Sequence, residues 1–375
     1  MSASETLFQA IAASGGDVID VPVVLEASVP LELSGEVVRG RICTFVDAAG
    51  REWALRPDLT LPVAQAEIAA RQAGATGESR RRYRGPVFRL PAAAGEPVEY
   101  EQIGIERFGA DSGVAADVWL FDSLAAACAS VGVETGRATF GDLSVFPAFV
   151  DALELPEDVA AGLKRAFRQE GGVRAYLGGR SEDQSSLSQR LRGMDRDDVA
   201  AFVDDIYALT GLNPIGERSV DEIVDRMHAR AQASAGKSVS TEIDQLLTQV
   251  LSLETAYAEA ASELRRIAGA ANISGLNGTL DRFEQRAEQL ATSAHSGLLS
   301  TARFATRFGR RFTYYDGFVF EIAAGERAVD LKRPIAVGGR YDSLLANLSG
   351  GAVDATAIGG IVIPHRLAHS EGAVS

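Results

Sequence analysis

The chain has 375 residues, 46% of them hydrophobic, and carries a formal net charge of −14 at pH 7 with a pI near 4.9. This length fits two or three domains with a sizeable core. The acidic balance excludes broad nucleic-acid binding, which needs a basic surface to neutralise phosphates. No apolar run approaches the roughly 18 residues of a membrane span, and two distant cysteines form no metal-like pair, so buried free thiols in a reducing compartment are expected.

The first predicted elements are short. Residues 4–14 predict an amphipathic helix capped by Ser4, without the basic and apolar regions of a signal peptide, so a cytoplasmic protein is expected. Residues 15–29 are apolar and β-branched but broken by Pro22, which is typical of an edge strand. The next two strands, within 41–55, are predicted to pair, and a helix is predicted over 65–73.

Residues 83–109 predict a β-hairpin with a loop rich in Ala, Gly and Pro. Its strands carry Arg89, Gln102 and Glu106, and side chains along a strand alternate between the two faces. From the residues alone, Glu106 is most simply a surface partner of Arg107 or Arg89.

The second half of the chain changes character. After a helix over 115–131 and a strand over 138–147, helical patterns dominate from about 150 to 300, most clearly over 241–268. Strand signals resume at 312 and continue to 363. We therefore expect a β-rich core made of 1–150 and 300–375, with a mostly helical insertion at 150–300.

Two further segments carry polar chemistry. In the sequence LRPDLT, Asp58 and Thr60 share one face of an extended segment and together could hold an ammonium group. A turn or a helix cap is the simpler interpretation of Asp58. The tandem Tyr314 and Tyr315 precede FVFE, which alone is most simply a core strand.

Two other patterns are dismissed. The sequence AGKS at 235–238 is like the end of a P-loop, but Ala231 stands where the leading glycine belongs and no strand precedes it. His365 and His369 are four residues apart without a third ligand, so no metal site is expected.

Taken in order, these segments resemble the motifs of class II aminoacyl-tRNA synthetases, and of histidyl-tRNA synthetases in particular. The segment around Pro22 is similar to the motif 1 dimer strand, and 83–109 looks like motif 2. The sequence 310–321 resembles the histidine-specific segment, with its tandem tyrosine, and GGRYD at 338–342 also matches. The resemblance implies an α+β fold, an antiparallel sheet flanked by helices with a helical insertion.

The same resemblance implies a histidine site. Asp58 and Thr60 would hold the amino group, Arg89 the carboxylate, and Glu106 with a tyrosine the imidazole ring. The full implied set is Asp58, Thr60, Arg89, Gln102, Glu106, Arg310, Tyr314, Tyr315 and Tyr341.

The nucleotide half of the synthetase site departs from the family. Leu90–Pro91 follow the motif 2 arginine, and Glu96 and Val98 stand where the family has arginines. In the motif 3 segment, Ile363 replaces a glycine that leaves room for adenine, and Pro364–His365 replace Leu-Glu. Arg310 matches the catalytic arginine, but its neighbours Arg311 and Thr313 do not fit. No catalytic residue, cofactor or metal is therefore expected.

Within this superfamily the chain is identified as a member of the regulatory subunits of short-form ATP phosphoribosyltransferase. The resemblance implies a histidine-binding homodimer that joins catalytic subunits in a hetero-oligomer, such as a hetero-octamer, and relays feedback inhibition of histidine biosynthesis. It implies no chemistry in this chain, no anticodon-binding domain, and no nucleic-acid or membrane partner. The alternatives are an active adenylate-forming paralogue with a non-tRNA acceptor, and a scaffold with a vestigial pocket.

Overall fold

The computed structural model describes residues 2–33, 36–92, 96–109, 113–133, 136–169, 171–178, 194–210, 224–225, 227, 239–310, 314–324 and 333–367. The chain divides into two compact units. The first is Met1–Ala148 with Val250–Ser375, and the second is Phe149–Gln249. The hairpin and all described polar segments singled out above belong to the first unit.

The strands of the described residues form two sheets. A nine-stranded, mostly antiparallel sheet has the order β1-β5-β6-β12-β11-β10-β7-β9-β8, and a smaller sheet has the order β2-β4-β3. The strands are β1 Asp17–Val18, β2 Val24–Glu26, β3 Thr44–Val46, β4 Glu52–Leu55, β5 Ser79–Phe88, β6 Glu99–Phe108, β7 Gly136–Asp142, β8 Glu254–Ala256, β9 Arg303–Ala305, β10 Phe318–Ala324, β11 Ala336–Arg340 and β12 Ala357–Val362.

The helices belong to both units. In the described residues they are α1 Ala3–Ala12, α2 Ser28–Leu33, α3 Glu36–Arg39, α4 Thr60–Gln72, α5 Val114–Ala129, α6 Val145–Ala152, α7 Glu157–Phe167, α8 Gly172–Gly178, α9 Arg196–Thr210, α10 Thr241–Ser252, α11 Tyr257–Ala270, α12 Asn277–Ala291 and α13 Leu344–Leu348, with 3-10 turns at Ser296–Leu299 and Pro364–Arg366. The predicted antiparallel sheet flanked by helices is confirmed.

Helix α5 covers the middle of the large sheet. Its side chains Leu120, Phe121 and Leu124 are fully buried, and the helix packs on β11 and β12. Helix α1 packs against α5 and begins at Ala3. Its cap is Ser2, whose Oγ accepts the N–H of Glu5 at 3.2 Å, so the cap predicted at Ser4 is wrong.

The N-terminal apolar segment makes two strands rather than one. β1 lies at an edge of the large sheet, parallel to β5, and β2 belongs to the small sheet. Pro22 lies between them, where its missing N–H costs no ladder hydrogen bond. The predicted pairing within 41–55 is confirmed, because β3 and β4 are antiparallel neighbours. Cys128 is buried as expected, whereas Cys43 is partly exposed.

A buried ion network joins α5, α12, β7 and β11. The Asp117 carboxylate accepts Arg340 Nη2 at 2.6 Å through one oxygen and Arg286 Nη1 at 3.0 Å through the other. Arg286 also donates Nη2 to Asp142 at 2.5 Å. Burial alone would raise the pKa of Asp142, but Arg286 and Ser144 lower it below its ordinary value. Charge pairing therefore ties β11 to two helices.

The second unit is helical in its described part. Val159, Leu163 and Phe167 form the buried face of α7, which packs on α8. A separate apolar cluster is centred on Val199 and Val203 of α9, and it includes Val224.

The predicted helix over 241–268 is interrupted. α10 ends at Ser252, β8 follows, and α11 begins at Tyr257. Thr255 of β8 lies opposite Phe304 of β9. Pairing with a strand distant in sequence therefore overrides the local helical pattern.

Candidate functional site

The hairpin register determines which side chains meet. β5 and β6 pair so that Tyr83 lies opposite Gly104 and Gly85 lies opposite Gln102. Because residues two apart on a strand share a face, Gln102, Gly104 and Glu106 point to the same side of the sheet. Gln102 and Glu106 are both 0% exposed. The hairpin thus places an amide and a carboxyl group on one buried surface.

The Glu106 carboxyl group accepts hydrogen bonds from three hydroxyls. Thr60 Oγ1 donates to Oε1 at 2.8 Å, the Tyr83 hydroxyl donates to the same oxygen at 2.6 Å, and the Tyr341 hydroxyl donates to Oε2. Burial raises the pKa of Glu106 to about 7, although the three hydroxyl donors oppose this rise. Near neutral pH this group therefore both accepts and releases a proton.

The surface ion pair expected for Glu106 from the residues alone is wrong. Arg107 lies next along the strand, points to the other face, and donates Nη2 to Glu78 at 2.7 Å. Arg89 donates Nε to the carbonyl of Pro57 at 2.7 Å. Neither arginine serves as the predicted surface partner, and Glu106 is enclosed with hydroxyl groups instead.

Three tyrosines form an aromatic wall beside this carboxyl group. The ring centroids of Tyr314 and Tyr315 are 4.8 Å apart, and those of Tyr314 and Tyr341 are 5.7 Å apart in an edge-to-face arrangement. Burial, together with the nearby carboxyl groups of Asp58 and Glu106, raises the pKa of Tyr314. These hydroxyls therefore stay protonated and remain hydrogen-bond donors at neutral pH.

Asp58 lies at the start of α4 and is buried. Its Oδ1 accepts the N–H of Leu61 at 3.0 Å, so the simple interpretation as a helix cap describes one of its oxygens. Burial raises the pKa of Asp58, and the charge of Arg89 opposes this. The charges of the Asp58 carboxyl group and the Arg89 guanidinium thus act on each other.

Gln102 is the unsatisfied member of the set. Both side-chain atoms, Oε1 and Nε2, are buried without a hydrogen-bond partner among the described residues. Leaving a buried polar group unpaired costs about 1–3 kcal/mol. The buried Gln102 amide is therefore available for a further hydrogen-bond partner.

Tyr83 was missed by the sequence analysis. It is fully buried, and a Cβ at Gly104 would come within 2.6 Å of its hydroxyl oxygen. The hairpin register was the available signal, since it places Tyr83 opposite a glycine two residues from Glu106. We use the name Glu106 cluster for this set together with Gln102, which shares the strand face of Glu106. Its members are Asp58, Thr60, Tyr83, Arg89, Gln102, Glu106, Tyr314, Tyr315 and Tyr341.

The place of Arg310 in the site stays a prediction. Its Nε donates to the carbonyl of Arg307 at 3.1 Å, a contact within its own turn. Arg311 and Thr313, which raised doubts about catalysis, lie outside the described residues.

Gly359 makes room for the Glu106 carboxyl group. A Cβ at this position would overlap the carboxylate and come within 2.8 Å of the carbonyl oxygen of Ile105.

Gly359→Ala is therefore expected to lower the free energy of unfolding by about 1–3 kcal/mol, as overpacked core substitutions do. Urea denaturation measures this. Gly278→Ala, at a helical glycine where an added Cβ would meet nothing within 4 Å, should leave stability unchanged or raised. Equal effects of the two would contradict the crowding argument.

The residues that differ from the family in the nucleotide half make contacts within the chain. Ile363 is buried and its N–H donates to the carbonyl of Ile335 at 2.8 Å. Arg366 donates Nη1 to the carbonyl of Pro334 at 2.6 Å. In the motif 2 loop, Glu96 accepts Arg41 Nη2 at 2.8 Å.

The structure adds no support for the two patterns dismissed above, the P-loop-like sequence and the histidine pair. The sequence at 235–238 and His369 lie outside the described residues, and the ring of His365 packs 5.0 Å from that of Tyr100. In the described ranges, no three His, Cys, Asp or Glu side chains are grouped as metal ligands. In the same ranges, no helix has the length and apolar character needed to cross a membrane.

Comparison with known proteins gives consistent matches over nearly the whole chain. The histidyl-tRNA synthetase family model matches residues 2–195 and 198–361. An ATP phosphoribosyltransferase regulatory subunit from Agrobacterium fabrum is 31% identical over 351 residues, covering 91% of this chain and 90% of the relative. The protein of the same name from Allorhizobium ampelinum is 32% identical over 358 residues, covering 91% and 90%.

Solved structures agree on the fold. A protein from Bacillus halodurans, described as an ATP phosphoribosyltransferase regulatory subunit/histidyl-tRNA synthetase, has a TM-score of 0.66 at 21% identity and covers 99% of this chain and 78% of that chain. A histidine–tRNA ligase subunit from Alicyclobacillus acidocaldarius has a TM-score of 0.56 at 22% identity, covering 99% and 93%. The chain therefore belongs to the ATP phosphoribosyltransferase regulatory subunits, within the histidyl-tRNA synthetase family.

Proposed function

We propose that this chain is the regulatory subunit of a short-form ATP phosphoribosyltransferase, that it binds histidine in the Glu106 cluster, and that bound histidine inhibits the catalytic subunit. The chain makes and breaks no bond itself. Its role is to hold the catalytic subunit in states that differ in activity. Histidine must bind one of these states more tightly, and a coupling of about 1–3 kcal/mol is typical of such linkage.

The observation that carries the proposal is the buried polar surface of the hairpin. Gln102 has an unpaired buried amide, and Glu106 is a buried carboxyl group surrounded by hydroxyls. In a vestigial pocket the Gln102 amide would stay unpaired, and an unpaired buried polar group costs about 1–3 kcal/mol. A ligand with ring nitrogens and an amino-acid end supplies partners for both.

Each end of histidine has a counterpart in the cluster. Asp58 offers a carboxyl group for the α-ammonium, and Arg89 offers a guanidinium for the α-carboxylate. Glu106 and the tyrosines around it offer acceptors and donors for the imidazole ring. A site built from such groups disfavours aliphatic amino acids, because an aliphatic side chain offers no N–H to the acceptor positions of Glu106 that the three hydroxyls leave open.

The absence of chemistry is supported by the motif 3 remnant. Ile363 is buried where the synthetase family has a glycine beside adenine, and Glu96 pairs with Arg41 in a loop where the family has arginines. A branched side chain and a carboxylate both disfavour a bound nucleotide. No cofactor and no nucleic-acid partner belong to the proposal.

Self-association through the N-terminal strands is part of the proposal. Several apolar side chains there are exposed, and a second copy of the chain would cover them. They are Val18, Val23, Val24, Phe45 and Val46. The resulting homodimer would join catalytic subunits in a cytoplasmic hetero-oligomer.

The test is co-expression with a short-form catalytic subunit. We expect the two chains to copurify, phosphoribosyl transfer to require both, and histidine to inhibit the complex. A catalytic subunit that is fully active alone and indifferent to this chain would contradict the proposal. ATP–pyrophosphate exchange that depends on histidine would favour the alternative, an adenylate-forming enzyme.

A further inference from the structure

The charges of the Glu106 cluster do not balance. Asp58 and Glu106 are two buried carboxyl groups, whereas Arg89 is the one guanidinium among the cluster residues. The charge of Asp58 acts on Glu106 and raises its pKa further. Among the cluster residues that the structure describes, there is therefore one carboxyl group more than Arg89 can neutralise.

The other titratable groups near Glu106 do not remove this excess. Tyr83 and Tyr341 donate to it as neutral hydroxyls, because burial and the Glu106 charge raise the pKa of both. Tyr314 and Tyr315 also have raised pKa values, mainly through burial. Arg81 lies opposite Glu106 in the hairpin.

The guanidinium of Arg81 is committed elsewhere. Its Nη1 pairs with Asp17 at 3.2 Å, and its Nε lies 3.5 Å from the Glu67 carboxylate. It therefore balances charges outside the cluster.

The zwitterionic end of histidine leaves the excess in place. Its α-ammonium and α-carboxylate match Asp58 and Arg89, and these four charges cancel. What remains is Glu106 facing the imidazole ring. A carboxylate has about four acceptor positions, so Oε2, which accepts the Tyr341 hydroxyl, can also accept a ring N–H. An unpaired buried charge is costly, so the pair needs a proton.

Building on the proposed histidine site, we infer that the Glu106 cluster binds histidine together with one proton, shared between the Glu106 carboxyl group and the imidazole ring. The ring and Glu106 then form either an imidazolium with a carboxylate or a neutral imidazole with a protonated carboxyl group. Either form makes the ring and Glu106 neutral as a unit. A ring without a basic nitrogen cannot contribute the proton.

Histidine affinity should then depend on pH on both sides of neutrality. A free imidazole has a pKa of about 6.5, and burial raises the pKa of Glu106 to about 7. Above both values the free partners have each lost a proton, so binding must take one up. Below both, each carries a proton and one must leave. Affinity should peak between these two values and fall by up to about tenfold per pH unit on either side.

Titration calorimetry in two buffers of different ionisation enthalpy counts these protons. With histidine we expect uptake of nearly one proton per site at about pH 8 and release of nearly one at about pH 5.5. Glu106→Gln should abolish the uptake at the higher pH. The ligand's α-amino group titrates alike with both proteins and cancels in the comparison. A triazole analogue of histidine, whose ring is far less basic, should keep the uptake and lose the release.

The outcomes separate the two proposals. Histidine that binds the wild-type protein without a change in proton count between these pH values overturns the shared proton and leaves the histidine site intact. Undiminished uptake in Glu106→Gln also overturns it, because the proton would reside elsewhere. If that variant binds too weakly to measure, the triazole comparison on the wild-type protein decides. No histidine binding at any pH contradicts the proposed function itself.

Discussion

Replacing Glu106 with glutamine is expected to weaken histidine binding by about 10- to 100-fold and to relieve feedback inhibition. The substitution keeps the shape but removes a charge-assisted hydrogen bond, which contributes roughly 1.5–3 kcal/mol. Calorimetry measures the affinity, and inhibition of the assembled complex measures the relay. Assembly should survive, because the change lies in a buried site rather than on an exposed surface.

The matched control is Glu99→Gln, at an exposed position of the same strand, which should alter neither affinity nor inhibition.

The pH dependence of stability is a second measurement on Glu106, and it needs no ligand. The pKa of Glu106 rises from 4.5 in the unfolded chain to about 7 in the folded one. Its stabilising contribution is therefore complete below about 4.5 and is lost as pH rises to about 7, about 3 kcal/mol in all. The Glu106→Gln variant should not lose this stability as pH rises. An unchanged affinity of the variant for histidine would refute the role of Glu106 in binding.

Asp117→Asn should lower the free energy of unfolding by about 3–5 kcal/mol. Asp117 bridges Arg286 and Arg340, and all three side chains are buried. Removing the charge leaves two buried guanidinium groups with less compensation, and breaking a buried ion pair costs about this amount. Urea denaturation of the unliganded protein measures the change.

Asp281→Asn is the control for this network. Asp281 pairs with Arg265 at 2.6 Å, but its side chain is 65% exposed. Surface ion pairs contribute about 0–1 kcal/mol, so this variant should be close to wild type. If the two variants lose the same stability, the buried network is no more important than a surface pair.

Local patterns predicted several elements well because the information lay within each element. The hairpin follows from two β-rich runs around a loop of Ala, Gly and Pro, and β5 and β6 pair as predicted. The strand predicted over 138–147 ends earlier, at Asp142, and α6 begins at Val145. Asp142 Oδ1 accepts both the N–H and the hydroxyl of Ser144, which turns the chain there.

Non-local pairing produced the other differences. Residues 254–256 have a helical pattern, yet they form a strand because β9 offers a partner almost fifty residues away in the sequence. The N-terminal apolar segment reads as one strand but serves two sheets on either side of Pro22. Propensity is a weak local preference, and tertiary contacts override it.

By itself the sequence determined the motif order, the resemblance to the synthetase family and the types of residue that a histidine site needs. It also showed that the nucleotide half of that site is altered. These are properties of residue identity and spacing, which can be taken from the sequence without knowledge of the fold.

Only the tertiary structure decided the state of Glu106. The simple interpretation placed it at the surface, whereas the fold surrounds it with hydroxyls from three distant segments, carried by Thr60, Tyr83 and Tyr341. It also leaves the buried Gln102 amide without a hydrogen-bond partner among the described residues. The physical reason is that burial and hydrogen-bond partners depend on which segments the fold brings together, and these set the pKa of a carboxyl group.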